Sequence, residues 1–133
     1  MRPIVCVDLD GVLADYSDGW KGVEYFGNPI PGAVEFTRQL AVFADIVIFT
    51  CRCSPEVQRV PVAGVHLLVN RVREWLDANG FVYHEIYSGV GKPFANAYVD
   101  DRAVFCNATC PAHYKGVLDS IWSMCIFQKG KTA

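Results

Sequence analysis

Ile4-Val5-Cys6-Val7-Asp8-Leu9-Asp10-Gly11 is the stretch that decides the fold. Four apolar residues in a row, two of them β-branched valines and one an isoleucine, read as a short strand buried on both faces. Two carboxylates follow at its C-terminal end, and Gly11 permits a sharp turn directly after them. In an open α/β sheet the C-terminal strand ends are where ligands bind. Asp and Gly are also ordinary turn residues, so this stretch alone is equally an acidic turn after a strand.

Working outward, the same pattern recurs twice. Ile46-Val47-Ile48-Phe49 is a second apolar run, and it ends in Thr50. Ala97-Tyr98-Val99 is a third, and it ends in Asp100-Asp101, with Lys92 in the Gly-rich loop just before it. Between them lie helical patterns. Ala33 to Ala41 places Ala33, Phe36 and Leu40 on one face after Pro31-Gly32. Val65 to Asn79 carries the stripe Val65, Leu68, Val69, Val72, Trp75 and Leu76, and Asn79-Gly80 is a stop signal. Cys51 to Gly64 reads as an irregular loop, Phe81 to Ile86 as a further strand, Asn96 to Asp100 as the last clear one, and Val104 to Cys106 as a candidate fifth. Pro111 to about Phe127 reads as a closing helix with Val117, Ile121, Met124 and Cys125 inward. Alternating strands and helices predict an α/β fold: a mostly parallel sheet covered on both faces, three layers in a single domain over residues 1–133.

The ordered set Asp8-x-Asp10, Thr50, Lys92, Asp100-Asp101 resembles the four motifs of the haloacid-dehalogenase-like phosphohydrolases, over roughly residues 4–102. The opening Val7 to Asp15 is especially similar to the deoxyribonucleotidase branch of that superfamily. The resemblance implies a Rossmann-like domain. It also implies a flap after the first turn, here residues 13–30, too short for the full cap that many relatives carry. The segment is rich in aromatic residues, and Tyr16, Trp20 and Tyr25, with Phe26 beside them, are candidates to stack on a substrate base. The same rings would equally serve to cover the end of the sheet.

Phosphate monoesters resist attack because their oxygens repel nucleophiles, so the charge must be offset and the reactants aligned. The resemblance assigns Asp8 as nucleophile, and Asp10 as the acid that protonates the leaving oxygen and then the base that activates water. It assigns Mg²⁺ to Asp8, the backbone carbonyl of Asp10, and Asp100, with Asp101 binding through water or orienting the others; hard oxygen donors suit that ion. Thr50 and Lys92 would grip the phosphoryl oxygens, one with a hydroxyl, the other with a compact positive charge. Read alone, Thr50 is a strand-end β-branched residue and Lys92 a solvated lysine. Gly11 and Arg52 complete the candidate substrate contacts. Arg52 has a second reading, as the ion-pair partner of Asp101 or Glu56.

Composition narrows the rest. A chain of 133 residues with 52% hydrophobic and 20% charged residues suits one compact core. A net charge of −2 implies no general affinity for nucleic acid or an anionic membrane, with basic residues scattered apart from Lys129-Gly130-Lys131. The apolar runs are too short to span a bilayer, and Asp8 and Asp10 interrupt any leader-like segment, so a cytoplasmic location is expected. Six cysteines are read as reduced thiols, with Cys6 and Cys125 in the core. Cys51-x-Cys53 and Cys106-x3-Cys110-x2-His113 do not match common structural zinc spacings. His66 and His84 receive no role. Ser88 to Pro93 lacks the Ser/Thr and the spacing of a phosphate-binding P-loop.

The expected partner is a small phosphorylated molecule, and the short flap leaves room for a second copy of the chain to complete the lid. The alternative from another class is a phosphorylatable or catalytically degenerate domain of the same type, acting as a binding or assembly module.

Overall fold

The structure, a computed structural model, describes residues 1–107 and 109–127; the basic tail at Lys129 to Lys131 lies outside them. The chain falls into two compact units, Met1–Asp100 and Asp101 onward.

The first unit is α/β, with a four-stranded, all-parallel sheet in the order β3-β2-β1-β4. β1 is Ile4–Val7, β2 Asp45–Ile48, β3 Glu85–Ile86 and β4 Ala97–Val99. β1 lies between β2 and β4, with Val7 level with Ile48 on one side and Val99 on the other. The chain therefore moves outward from β1 through β2 to β3, then crosses back to place β4 on β1's other side. The strand order reverses there, and the C-terminal ends of β1 and β4 flank the switch point.

Helix α1, Ala33–Ala41, and helix α3, Val65–Ala78, pack beside the sheet. α1 starts at Gly32, whose φ of 88° a side chain would disfavour. It buries Ala33, Thr37 and Leu40, whereas Phe36, expected inward, is 38% exposed. The buried Thr37 hydroxyl is fully partnered. It donates to the Val34 carbonyl at 2.8 Å and accepts from the Val82 amide at 3.2 Å. α3 buries Leu68, Val72 and Leu76, on the stripe its periodicity predicts, with Arg71, Arg73, Glu74 and Asp77 exposed. Val5, Val7, Leu9, Leu13, Ile46 and Ile48 form the centre of the core with Val72 and Leu76.

Several expected boundaries move. β2 stops at Ile48 and β4 covers three residues. β3 is two residues, not Phe81 to Ile86: the Phe81 amide donates to Leu76 at the end of α3, and its ring stacks on Trp75 at 5.2 Å. Residues 51–64 are not irregular. A 3₁₀ turn at Cys51–Cys53, the short helix α2 at Pro55–Gln58 and a second 3₁₀ turn at Val62–Gly64 follow one another.

In the second unit Val104 to Cys106 is not a strand. Helix α4, His113–Trp122, continues into a π-helical turn, Ser123–Phe127. Val117 and Met124 are half-buried, but Ile121 and Cys125, expected inward, are exposed. The other buried-cysteine expectation holds at Cys6. Among the described residues no helix is long and apolar enough to cross a membrane.

Candidate active site

The turn after β1 builds the floor of the site. Leu9 is fully buried in the core, and Asp8 and Asp10 on its two sides are half-buried. The ladder continues one step past β1: the Asp8 amide donates to the Val99 carbonyl at 2.9 Å, and the Phe49 amide to the Val7 carbonyl at 3.0 Å. Asp8 is thereby fixed beside the end of β4. Its Oδ1 accepts from the Leu9 amide at 2.8 Å. Asp8 and Asp100 each present a carboxylate oxygen within 4.8 Å of the other. Asp101 is the next residue and opens the second unit.

The turn after Asp10 is made by backbone. Leu13 and Ala14 both donate to the Leu9 carbonyl, at 2.8 and 2.9 Å, and the Gly11 amide donates to Ala14 at 2.8 Å. Gly11 takes a φ of 85°, which this tight turn requires. Thr50, two residues past β2, is buried, and its Oγ1 accepts from the Arg52 amide at 3.2 Å, capping the 3₁₀ turn that follows. Lys92 is exposed in the loop before β4, its Nζ 4.6 Å from the centre of the Tyr98 ring.

Arg52 departs from expectation. It does not pair with Glu56. Its guanidinium, 4% exposed, forks onto Asp10: Nε to Oδ2 at 2.7 Å and Nη2 to Oδ1 at 2.9 Å. Nη2 also donates to the Tyr25 carbonyl at 2.7 Å, and Nη1 to that of Val23 at 3.4 Å. The Phe26 and Trp20 rings lie 4.0 and 4.9 Å from its central carbon.

Residues 13–30 contain no helix or strand beyond isolated bridges. The neck is closed by Asp15 donating to Asn28 at 2.8 Å and Ile30 donating to Leu13 at 2.9 Å. Gly27 is obligatory there, because a Cβ would stand 1.9 Å from the Asp15 carbonyl oxygen. Inside the lid, Phe26 stacks on Trp75 at 5.6 Å, joining a ladder that ends on Phe81. Tyr16 is half-buried, while Trp20 and Tyr25 keep part of their rings exposed. The Arg52 fork and this ladder are the features sequence reasoning did not find. Spacing placed Arg52 near the site, but the 3₁₀ turn that swings it onto Asp10 has no signature in Cys51-Arg52-Cys53.

The carboxylate donors at the ends of β1 and β4 fit a hard cation such as Mg²⁺. Among the described residues no group of three or more cysteine and histidine side chains gathers closely enough to share a metal. His113 instead contacts the Phe105 carbonyl at 3.0 Å, and His84 accepts from the Ile46 amide at 2.8 Å. Burial pushes the Cys53 thiol up to about 11, against a smaller opposing effect of Arg52. It also raises Cys6, with Glu85 adding to the effect.

No family model matches the chain, and no curated protein matches it. Among solved structures it is similar to the D,D-heptose 1,7-bisphosphate phosphatase from B. bronchiseptica, crystallised with magnesium and phosphate. The TM-score is 0.44 and the identity 19%, over 89% of this chain and 63% of that one. The chain thus spans less than two thirds of that neighbour's length, and the likeness is too distant to carry residues or activity across.

Proposed function

We propose that this chain is a Mg²⁺-dependent phosphomonoester hydrolase that works through an aspartyl-phosphate on Asp8. The observation that supports it most is the meeting of Asp8 and Asp100 at the switch point of a parallel sheet, where phosphate-handling α/β folds bind their ligands.

Asp8, the carbonyl of Asp10 and Asp100 would hold Mg²⁺, with Asp101 as a further ligand or orienting partner. When bound, the ion supplies positive charge against the phosphoryl oxygens and the carboxylates. An oxygen of Asp8 attacks phosphorus as the ester P–O bond breaks, and the leaving oxygen takes a proton from Asp10. In the second half, Asp10 removes a proton from water, which attacks the phosphorus and frees Asp8. Thr50 and Lys92 are assigned to the phosphoryl oxygens. The resemblance of Val7 to Asp15 to deoxyribonucleotidases and the partly exposed Trp20 and Tyr25 rings favour a nucleotide as substrate.

A screen over nucleotides, sugar phosphates and phosphopeptides tests both levels of the proposal. Phosphate release should stop with chelator and return with Mg²⁺. Release that survives exhaustive chelation, or returns with Zn²⁺ alone, would sink it.

A further inference from the structure

We infer that Arg52 is the positioning residue for Asp10 and that it binds the acid–base group and the lid into one mechanical unit. This rests on the hydrolase reading above.

Arg52 has five N–H donors. Three of its nitrogens reach two Asp10 oxygens and two lid carbonyls, and two aromatic rings of the same lid segment lie within 4.9 Å of its central carbon. A guanidinium that recognises a substrate anion needs an open edge facing solvent; this one is 4% exposed. A two-point fork also does what a single contact cannot. It fixes the direction and the plane of the carboxylate, because both oxygens are pinned at once. A carboxylate has about four lone-pair sites, so two remain to pass a proton. The partners come from three places: Asp10 after β1, Arg52 after β2, and residues 20–26 of the lid. Unseating Phe26 or Trp20 therefore disturbs the same group that aims Asp10. Acid–base catalysis in this chain is set when the lid is seated.

The test separates leaving groups. An activated aryl ester such as 4-nitrophenyl phosphate departs without help, whereas an alkyl ester such as a nucleoside monophosphate needs its oxygen protonated. With the full chain and Mg²⁺, Arg52→Lys should lower the single-turnover rate of leaving-group release, which reads the first step alone, by about 10²-fold or more on the alkyl ester, the scale of a lost general acid, and by less than about tenfold on the aryl ester. Adding Asp10→Asn to Arg52→Lys should cost little more, since the two act as a unit. Phe26→Leu, away from the reacting atoms, should show the same preference more weakly; it decides the matter if Arg52→Lys does not fold, as judged by thermal unfolding. Equal losses on both esters would overturn the inference. So would a raised KM with kcat unchanged, which would return Arg52 to substrate contact. A wild-type chain that releases phosphate from neither ester would defeat the hydrolase reading itself.

Discussion

The floor and the lid of this site are held by different kinds of bond. The floor hangs on backbone ladders: β1 pairs with β2 and β4 through consecutive residues, and the ladder runs on to the Asp8 amide. The lid has two backbone contacts at its neck, and beyond them depends on side chains, the Arg52 fork and the Phe26–Trp75–Phe81 stack. A backbone ladder does not care which side chain it carries. Changes on the floor should therefore alter chemistry and leave shape alone, whereas changes in the lid should cost stability and reach the chemistry only through Arg52 and Asp10.

The sharpest challenge to that contrast is Asp8→Asn. It should abolish turnover, roughly 10⁴- to 10⁶-fold, the scale of a lost nucleophile. Thermal unfolding should stay close to wild type, because the amide ladder is untouched; a large drop in melting temperature would show that the floor depends on the carboxylate after all. Trp75→Ala reverses the pattern. Truncating the central ring of the stack should cost about 2–4 kcal/mol in denaturant unfolding, toward the low end of large-to-small changes because Trp75 is half-buried. Stability within about 0.5 kcal/mol of wild type would mean that the stack does not hold the lid. Trp20→Ala should raise KM for a nucleotide about tenfold, the value of one base stacked on an aromatic ring, and change a small aryl phosphate much less. Equal losses on both substrates, tracking stability, would leave Trp20 as cover only.

The smallest effect lies at the seam between the two regions, in Cys53. Its folded-state pKa stands near 11, above the ordinary 9.0. The stabilisation from keeping it a thiol is complete below pH 9 and is lost as pH rises toward 11. Cys53→Val should remove that part of the alkaline loss in denaturant titrations. In the native chain Cys51 should alkylate rapidly while Cys53 resists, in keeping with their exposure. A shared rate for the two would contradict the burial.

How much of this was legible in sequence depends on what fixes each residue. β1 at Ile4–Val7 and α1 at Ala33–Ala41 fall where the apolar run and the Pro-Gly start place them, since local pattern and burial agree. Asp8 and Asp100 meet as the order of strand-end motifs anticipates, because parallel pairing brings like ends together. Phe81 misleads: an apolar aromatic beside Val82 has strand character, but its ring belongs to the stack on Trp75, a tertiary contact that outweighs propensity. Cys125 misleads for the opposite reason: it lies exposed in the π-helical turn after α4, a helix that buries none of its side chains fully. The Arg52 fork was out of reach, because a one-turn 3₁₀ helix sets its direction and the bond spans 42 residues.

The position of β4 has a consequence for the timing of synthesis. Its pairing with β1 joins the first residues of the chain to residues more than ninety positions later, as in the Ile4 amide's bond to the Asn96 side chain. β1, β2 and β3 can associate on a growing chain while β1 still has one bare edge. Closing a loop of that length is slow, and until it closes Asp8 has no Asp100 beside it. A nascent chain therefore acquires its sheet in part before it acquires the carboxylate pair. Completion of the parallel sheet and arrival of the carboxylate pair thus depend on one pairing, that of Ala97–Val99 with β1.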